Sequence, residues 1–214
     1  SPQFYSVSDE EVTVYLEHEG QIVQVEYLNE SVYTNVSISK SGYTQVVPGQ
    51  EIRYTFKDIG NNSTVPLDSF YWRDTLPTDA VRLDKIITGT YSARLNYKVV
   101  FQTNLNDTQR VLADNLNTQK NYTLDASPAA LGLASNEYVT QVTFLFGRVP
   151  GGFKQVETPY IYCDVLSSLS HEYRFANKCD VGGMWQNQWV QATDRWVTII
   201  YRGGPVPTLP RTGY

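Results

Sequence analysis

Arg94-Leu95-Asn96-Tyr97-Lys98-Val99-Val100-Phe101 sets Leu95, Tyr97, Val99 and Phe101 on one side of an extended chain and Arg94, Asn96 and Lys98 on the other. A repeat of two residues is that of a β-strand with one face in a core and one in water. The pattern recurs on both sides of this stretch. Upstream, Val12, Val14 and Leu16 alternate, as do Val23, Val25 and Tyr27, and His18-Glu19-Gly20 between them predicts a hairpin. Ile38 and Lys40 share a parity before a turn through Gly42, and Val46-Val47-Pro48-Gly49 turns the chain ahead of Ile52, Tyr54 and Phe56. Gly60-Asn61-Asn62-Ser63 is a further turn signal. Phe70, Trp72 and Asp74 then alternate into Thr75-Leu76-Pro77, where the proline ends the strand.

Downstream, the polar stretch from Thr103 to about Thr123 reads as a long connection, and residues 128–134 as room for one helical turn. Val142, Phe144 and Phe146 give another strand, closed by Pro150-Gly151-Gly152. Residues 160–163, 173–179 and 195–201 complete the set. Many short strands separated by Gly, Pro and Asn turns predict an all-β protein folded as a β-sandwich.

Composition agrees. Of 214 residues, 41% are hydrophobic, which supports one large core, and 16 tyrosines with 8 phenylalanines against a single Met suit pleated sheets. The formal net charge of −5 comes without any basic run, so nucleic acid is not an expected partner. No apolar run approaches the ~20 residues of a membrane span. There is also no signal peptide, and the chain is expected to be a mature piece of a longer protein. No Cys/His spacing suggests a metal site, and no cofactor is expected. His18 and His171 lie apart in polar settings, where they are expected to face solvent.

Three polar residues stand in apolar company. Lys40 shares its face with Ile38, Asp74 with Phe70 and Trp72, and Asn177 with Phe175 and Cys179. Strand alternation points all three inward, where an unpartnered Lys or Asp is costly. They are either strand-end residues with local hydrogen bonds or members of one buried cluster. In a cluster, desolvation lowers the Lys pKa and raises that of the Asp. A neutral Lys40 amine could then attack the Asn177 carboxamide while a protonated Asp74 polarises its carbonyl and shuttles protons, releasing ammonia and leaving an isopeptide bond.

Val-Ser-Ile-Ser-Lys-Ser-Gly around Lys40, Val-Pro-Gly-Gln-Glu-Ile-Arg-Tyr-Thr-Phe at 47–56, Trp72-Arg73-Asp74-Thr75-Leu76-Pro77 and Phe175-Ala176-Asn177 together resemble the isopeptide-forming Ig-like domains of Gram-positive adhesins and pilins. A Lys in the first strand, the acid of "DTLP" and an Asn near the end follow the collagen-adhesin A-type pattern over residues 36–201. The resemblance implies an Ig-like sandwich with a Lys40–Asn177 cross-link assisted by Asp74, Asp68 being the fallback acid. Ser1-Pro2-Gln3-Phe4-Tyr5, Val12-Thr13-Val14-Tyr15 and Val25-Glu26-Tyr27-Leu28-Asn29-Glu30 resemble the last strands of a B-type pilin domain, in which Asn29 would pair with a Lys upstream of Ser1. The expected division is therefore 1–33, a hairpin left from a preceding domain and docked on the main one; 34–202, the sandwich; and 203–214, an extended Pro/Gly tail.

That tail ends in Leu209-Pro210-Arg211-Thr212-Gly213, which matches the LPxTG sorting signal of Gram-positive surface proteins. Pro207 and Pro210 keep it extended and out of any helix. The match implies a sortase partner, cleavage after Thr212 and transfer to a peptidoglycan or pilin amine. The cell surface, with covalent attachment to the wall, is the location it implies.

Cys163 and Cys179 permit one disulfide between adjacent strands, closing a loop worth ~3 kcal/mol in the chain-entropy model, or two buried thiols. Trp185, Trp189 and Trp196 at strand positions read as core aromatics before a carbohydrate platform. The expected function is a stalk or spacer module of a sortase-anchored adhesin or pilin-like protein, not an enzyme beyond one self-directed reaction. The alternative is a module that itself binds a host matrix protein or glycan.

Overall fold

The computed structural model describes residues 11–28 and 31–203, with backbone alone for most of the first segment. The chain divides into two compact units, residues 1–33 and 34–214. In the first, β1 (Glu11–His18) and β2 (Gln21–Leu28) form an antiparallel hairpin in which His18 faces Gln21. Glu19 and Gly20 turn the chain at φ 51° and 74°. Two consecutive positive φ values are what a two-residue loop needs to match the right-handed twist of its strands.

The second unit is a sandwich of two sheets. The five-stranded sheet contains β3 (Val36–Ser41), β5 (Glu51–Asn61), β7 (Val81–Ile87), β10 (Thr123–Asp125) and β12 (Tyr160–Val165), in the order β10-β7-β12-β5-β3. The seven-stranded sheet contains β4 (Gln45–Val46), β6 (Leu67–Thr75), β8 (Asn96–Thr103), β9 (Asn106–Asn117), β11 (Val139–Val149), β13 (Arg174–Trp185) and β14 (Gln188–Ile200), in the order β4-β14-β13-β6-β11-β8-β9. All pairings but β4–β14 are antiparallel. The one helix among the described residues, α1 (Pro128–Leu131), is a single turn capped by Ser127 and Gly132.

Inward-facing residues of both sheets meet in an aromatic-rich core. Tyr54, Phe56 and Ile161 from the smaller sheet and Phe70, Trp72, Phe144 and Val181 from the larger are fully buried. The Phe56 ring crosses the interlayer space to lie 4.8 Å from Trp72, which stacks on Phe144 at 4.1 Å. Ring pairs of this kind contribute about 0.5–1.5 kcal/mol beyond their burial. The opening stretch is as expected from its alternation: Tyr97, Val99 and Phe101 are buried along β8.

Four expectations need correction. Residues 103–123 are not a connection, because β9 runs through them as the edge of the larger sheet. An edge strand with most side chains in water can be as polar as a loop, and β9 is largely exposed. Gly60-Asn61-Asn62-Ser63 does not begin a turn at its glycine, since β5 continues to Asn61. Asn61 is buried there and donates to the carbonyls of Val65 and Pro150, each at 3.1 Å.

The last strands are longer than the alternation implied. β13 and β14 form one long hairpin that turns at Gln186-Asn187. Gly183 serves close packing, because a Cβ there would stand 2.8 Å from Leu67 Cβ. Of the three tryptophans of this hairpin read as core, Trp185 and Trp196 pack against the core and Trp189 does not. Trp185 and Trp196 are half-buried, and Trp189 lies on the outer face with 51% of its surface exposed.

Candidate functional site

The sandwich is closed along one side by β3, the edge of the smaller sheet, approaching β14 of the larger. The Lys40 backbone N–H donates to Asp194 Oδ2 at 2.8 Å, while Trp196 Nε1 and Thr198 Oγ1 donate to the Tyr43 carbonyl at 2.9 and 2.8 Å. These ties fix the β3 edge, and strand parity then turns Val36, Ile38 and Lys40 into the core together. Asp74 lies on β6 in the middle of the larger sheet, opposite Val142 on one side and Cys179 on the other. Asn177 lies on β13, two residues from Cys179 and so on the same inward face.

The three side chains converge on one carboxylate. Lys40 Nζ donates to Asp74 Oδ1 at 2.7 Å, and Asn177 Nδ2 donates to Asp74 Oδ2 at 3.2 Å. Lys40 and Asp74 have no exposed side-chain surface, and Asn177 is fully buried. Two rings cap the amine from the smaller sheet: Nζ lies 4.3 Å from the ring centres of both Tyr54 and Phe56. Phe56 stands directly opposite Lys40 in the β3–β5 register. The pocket is thus closed to bulk solvent, aromatic on one side and built around one acid.

Burial is the main influence on both ionisable groups. Loss of hydration pushes the Lys40 pKa down, partly opposed by the negative charge of Asp74. The same loss pushes the Asp74 pKa up, opposed by Lys40 and by the hydrogen bond from Asn177. The two values move toward each other, so transfer of a proton from ammonium to carboxylate becomes far easier than in water. The product of that transfer is a neutral amine, a nucleophile, held beside a carboxylic acid.

Asn177 is only half satisfied. Its Oδ1 is buried with no hydrogen-bond partner, and so is the hydroxyl of Tyr54. Burial pushes the Tyr54 pKa well above its usual value, an effect the Asn177 amide partly opposes.

Cys163 and Cys179 are both buried free thiols. Of the two readings of this pair, a disulfide between adjacent strands or two buried thiols, the structure has the thiols: Cys163 lies on β12 of the smaller sheet, between β5 and β7, whereas Cys179 lies on β13 of the larger. Both sense the charges of Lys40 and Asp74, so both border the pocket. Burial raises the Cys163 pKa well above the usual thiol value and pushes that of Cys179 up to about 12. Neutral thiols are poor nucleophiles, which leaves the amine of Lys40 without a competitor.

Asp68 is outside the pocket. It is exposed and paired with Arg148 at 2.9 Å, so the fallback acid has no access to Lys40. His171 is exposed as well, its Nδ1 accepting from the Arg202 backbone at 2.9 Å. Asn29 and Leu209-Pro210-Arg211-Thr212-Gly213 lie outside the described residues. Sequence reading missed the parts played by Tyr54, Phe56 and Asp194. The alternation Ile52-Tyr54-Phe56 placed the two rings on the core face, but only the fold brings them over Lys40.

No family model matches the chain, and neither does any curated protein. Among solved structures it is similar to a cohesin module from a Clostridium perfringens family 33 glycoside hydrolase, at 8% identity and a TM-score of 0.41 over 79% of this chain and 98% of the other. It is also similar to the collagen-binding subdomain of an Enterococcus faecalis surface protein, at 11% identity and a TM-score of 0.32 over 77% and 96% of the two chains. A third is the collagen-binding domain of a Staphylococcus aureus adhesin, at 10% identity and a TM-score of 0.31 over 80% and 99%. None of these carries a residue role to this chain.

Proposed function

We propose that this chain is a stalk or spacer module of a bacterial surface protein, covalently locked by an isopeptide bond between Lys40 and Asn177. The observation that carries the reading is the buried contact of one carboxylate, Asp74, with both the Lys40 amine and the Asn177 amide nitrogen. A structural ion pair has no need of a carboxamide on its second oxygen, and a buried Lys–Asp pair is by itself a poor source of stability.

The reaction balances without any further reagent. The Lys40 ammonium gives one proton to Asp74, and the freed lone pair attacks Cγ of Asn177, forming the Nζ–Cγ bond as the carbonyl electrons move to Oδ1. Asp74 passes its proton through Oδ2 to Nδ2 and then takes a second proton from Nζ. Collapse of the oxyanion breaks Cγ–Nδ2 and releases ammonia, with Asp74 left protonated. The sandwich contributes proximity, worth up to about 7–11 kcal/mol when reacting groups are held in line. The bond would join β3 of one sheet to β13 of the other, so the two layers could not be pulled apart under load.

The LPRTG sequence supports attachment of such a module to a wall or pilus through Thr212 by a sortase. Incubation of the chain with a sortase and an amine acceptor tests this, the expected product being Thr212 joined to that amine. Trypsin and mass spectrometry test the cross-link: a branched peptide containing Lys40 and Asn177 is expected, and two separate linear peptides would refute it.

A second reading, that the domain itself holds a host matrix protein or glycan, is favoured by one observation. Exposed Trp189 stands edge-on to Tyr71 at 5.9 Å, and Arg73 lies over the same Tyr71 ring. Binding of the whole chain to immobilised collagen, lost in Trp189→Ala, is the result that reading requires.

A further inference from the structure

Lys40 stands on an edge of the smaller sheet. β3 has β5 as its one ladder neighbour there, and that ladder slips between Ser37 and Ser39, immediately ahead of the lysine. An irregular pairing bends the strand and disrupts the ladder locally. The ladder alone is therefore a poor support for a side chain whose placement decides a reaction rate. The Lys40 backbone N–H is used outside the ladder, donating to Asp194 Oδ2 at 2.8 Å.

Asp194 belongs to the inward-facing row of β14. It stands opposite the buried Cys179 in the β13–β14 register, and Trp196, the next residue of that row, stands opposite Asn177. Its neighbours in the row, Ala192 and Trp196, pack against the core, where a carboxylate needs a partner. The backbone N–H of Lys40 is that partner, in a charge-assisted bond of the stronger kind. The nucleophile is thereby tied, through one side chain, to the strand that pairs directly with the one bearing the electrophile.

We propose that Asp194 is a positioning residue for the cross-linking reaction, its carboxylate holding the Lys40 backbone so that Nζ is delivered to Asp74 and Asn177. The inference rests on the isopeptide reading and adds the contact that sets its rate. Asp194 acts through the backbone of Lys40 and not on a reacting atom. The bonds from Trp196 and Thr198 to the Tyr43 carbonyl hold the chain beyond Lys40, so Asp194 is the tie that bears on the lysine itself. β14 is the last strand among the described residues. Cross-linking therefore waits until the two sheets have closed along this side, and a half-folded chain is not locked in a wrong arrangement.

The experiment follows ammonia loss from the full chain after synthesis in a cell-free system, by intact mass at timed quenches. Asp194→Ala is expected to slow bond formation by roughly 10–10², the scale on which a small displacement of a reacting group is felt. Asp194→Asn keeps an oxygen acceptor for the Lys40 N–H and should react at close to the parental rate. An unchanged rate in Asp194→Ala, or an Asp194→Asn as slow as Asp194→Ala, overturns the proposal. Sucrose separates positioning from stability, because it raises the folded fraction without restoring the lost bond. Asp194→Ala should stay slow in it, and recovery of the parental rate there overturns the proposal in favour of a merely structural role. If Asp194→Ala does not fold even in sucrose, Asp194→Glu is the second test. Its carboxylate is one methylene longer, so slower formation with parental near-ultraviolet circular dichroism is expected and a parental rate overturns the proposal. A parent chain that never loses ammonia refutes the isopeptide reading itself, a result distinct from any outcome at Asp194.

Discussion

Lys40 Nζ stands 2.7 Å from Asp74 Oδ1, and neither side chain has any surface in contact with solvent. A charge pair this deep inside a sandwich gains little net stability over apolar residues of the same size. Its chemistry is the better explanation for its presence. With the Asn177 amide on the other carboxylate oxygen, the pair becomes a nucleophile, a proton carrier and an electrophile in one closed pocket.

Asp74→Asn should abolish cross-linking, because the replacement can neither accept the proton of Lys40 nor deliver one to the leaving nitrogen. It also leaves a buried amine without its counter-charge, and loss of one partner of such a pair destabilises by about 3–5 kcal/mol. Urea unfolding and intact mass, measured on the same sample, check both effects. Ammonia loss at the parental rate in this variant would remove Asp74 from the mechanism.

The rate of bond formation should be bell-shaped in pH. The reactive state has one proton shared between Lys40 and Asp74: a second proton keeps the amine charged, and loss of the shared one leaves none for the departing nitrogen. Burial raises Asp74 above its ordinary 3.8, so the acid limb should lie above that value. Burial lowers Lys40 below its ordinary 10.5, so the alkaline limb should lie below that one. Timed mass measurements across a pH series check this. A monotonic profile would contradict the shared-proton state.

Asn177→Ala leaves Lys40 unreacted and gives its ionisation a thermodynamic readout. The folded-state pKa of Lys40 is below that of the unfolded chain, so between the two values the unfolded state binds more protons. Stability of the variant should therefore rise as pH climbs toward 10.5, the ordinary lysine value. In the cross-linked parent Nζ is an amide nitrogen and this rise should be missing. Urea midpoints at several pH values for the two proteins make the comparison.

The two cysteines should resist alkylation in the native protein and react only on unfolding, since both are buried and their thiols are held neutral. Equal intact masses under reducing and non-reducing conditions, with both thiols labelled in denaturant, are expected. Rapid native labelling of Cys179 would mean that the pocket opens to solvent.

Strand parity made the core faces of β3, β6 and β13 legible in advance, because a residue two places from a buried neighbour on a regular strand must face the same way. That was enough to nominate Lys40, Asp74 and Asn177. Parity carries no information about which strands become neighbours, so one of the two readings of the cysteines, a disulfide between adjacent strands, met thiols on different sheets. It fails also where a strand is wet on both sides, as along β9. The nomination of Asp74 for carbonyl polarisation could not be tested against atoms until the fold put its carboxylate on the amide nitrogen.

Intact mass of the purified chain is the most direct measurement, taken on the parent, Lys40→Ala and Asn177→Ala. The parent should be lighter than its sequence by one ammonia, and both variants should have their full sequence mass. A cross-link closing more than a hundred residues is worth ~5 kcal/mol in the chain-entropy model, so Asn177→Ala should melt roughly 10–20 °C below the parent. An unmodified parent, or a deficit that survives in Asn177→Ala, would contradict the Lys40–Asn177 bond.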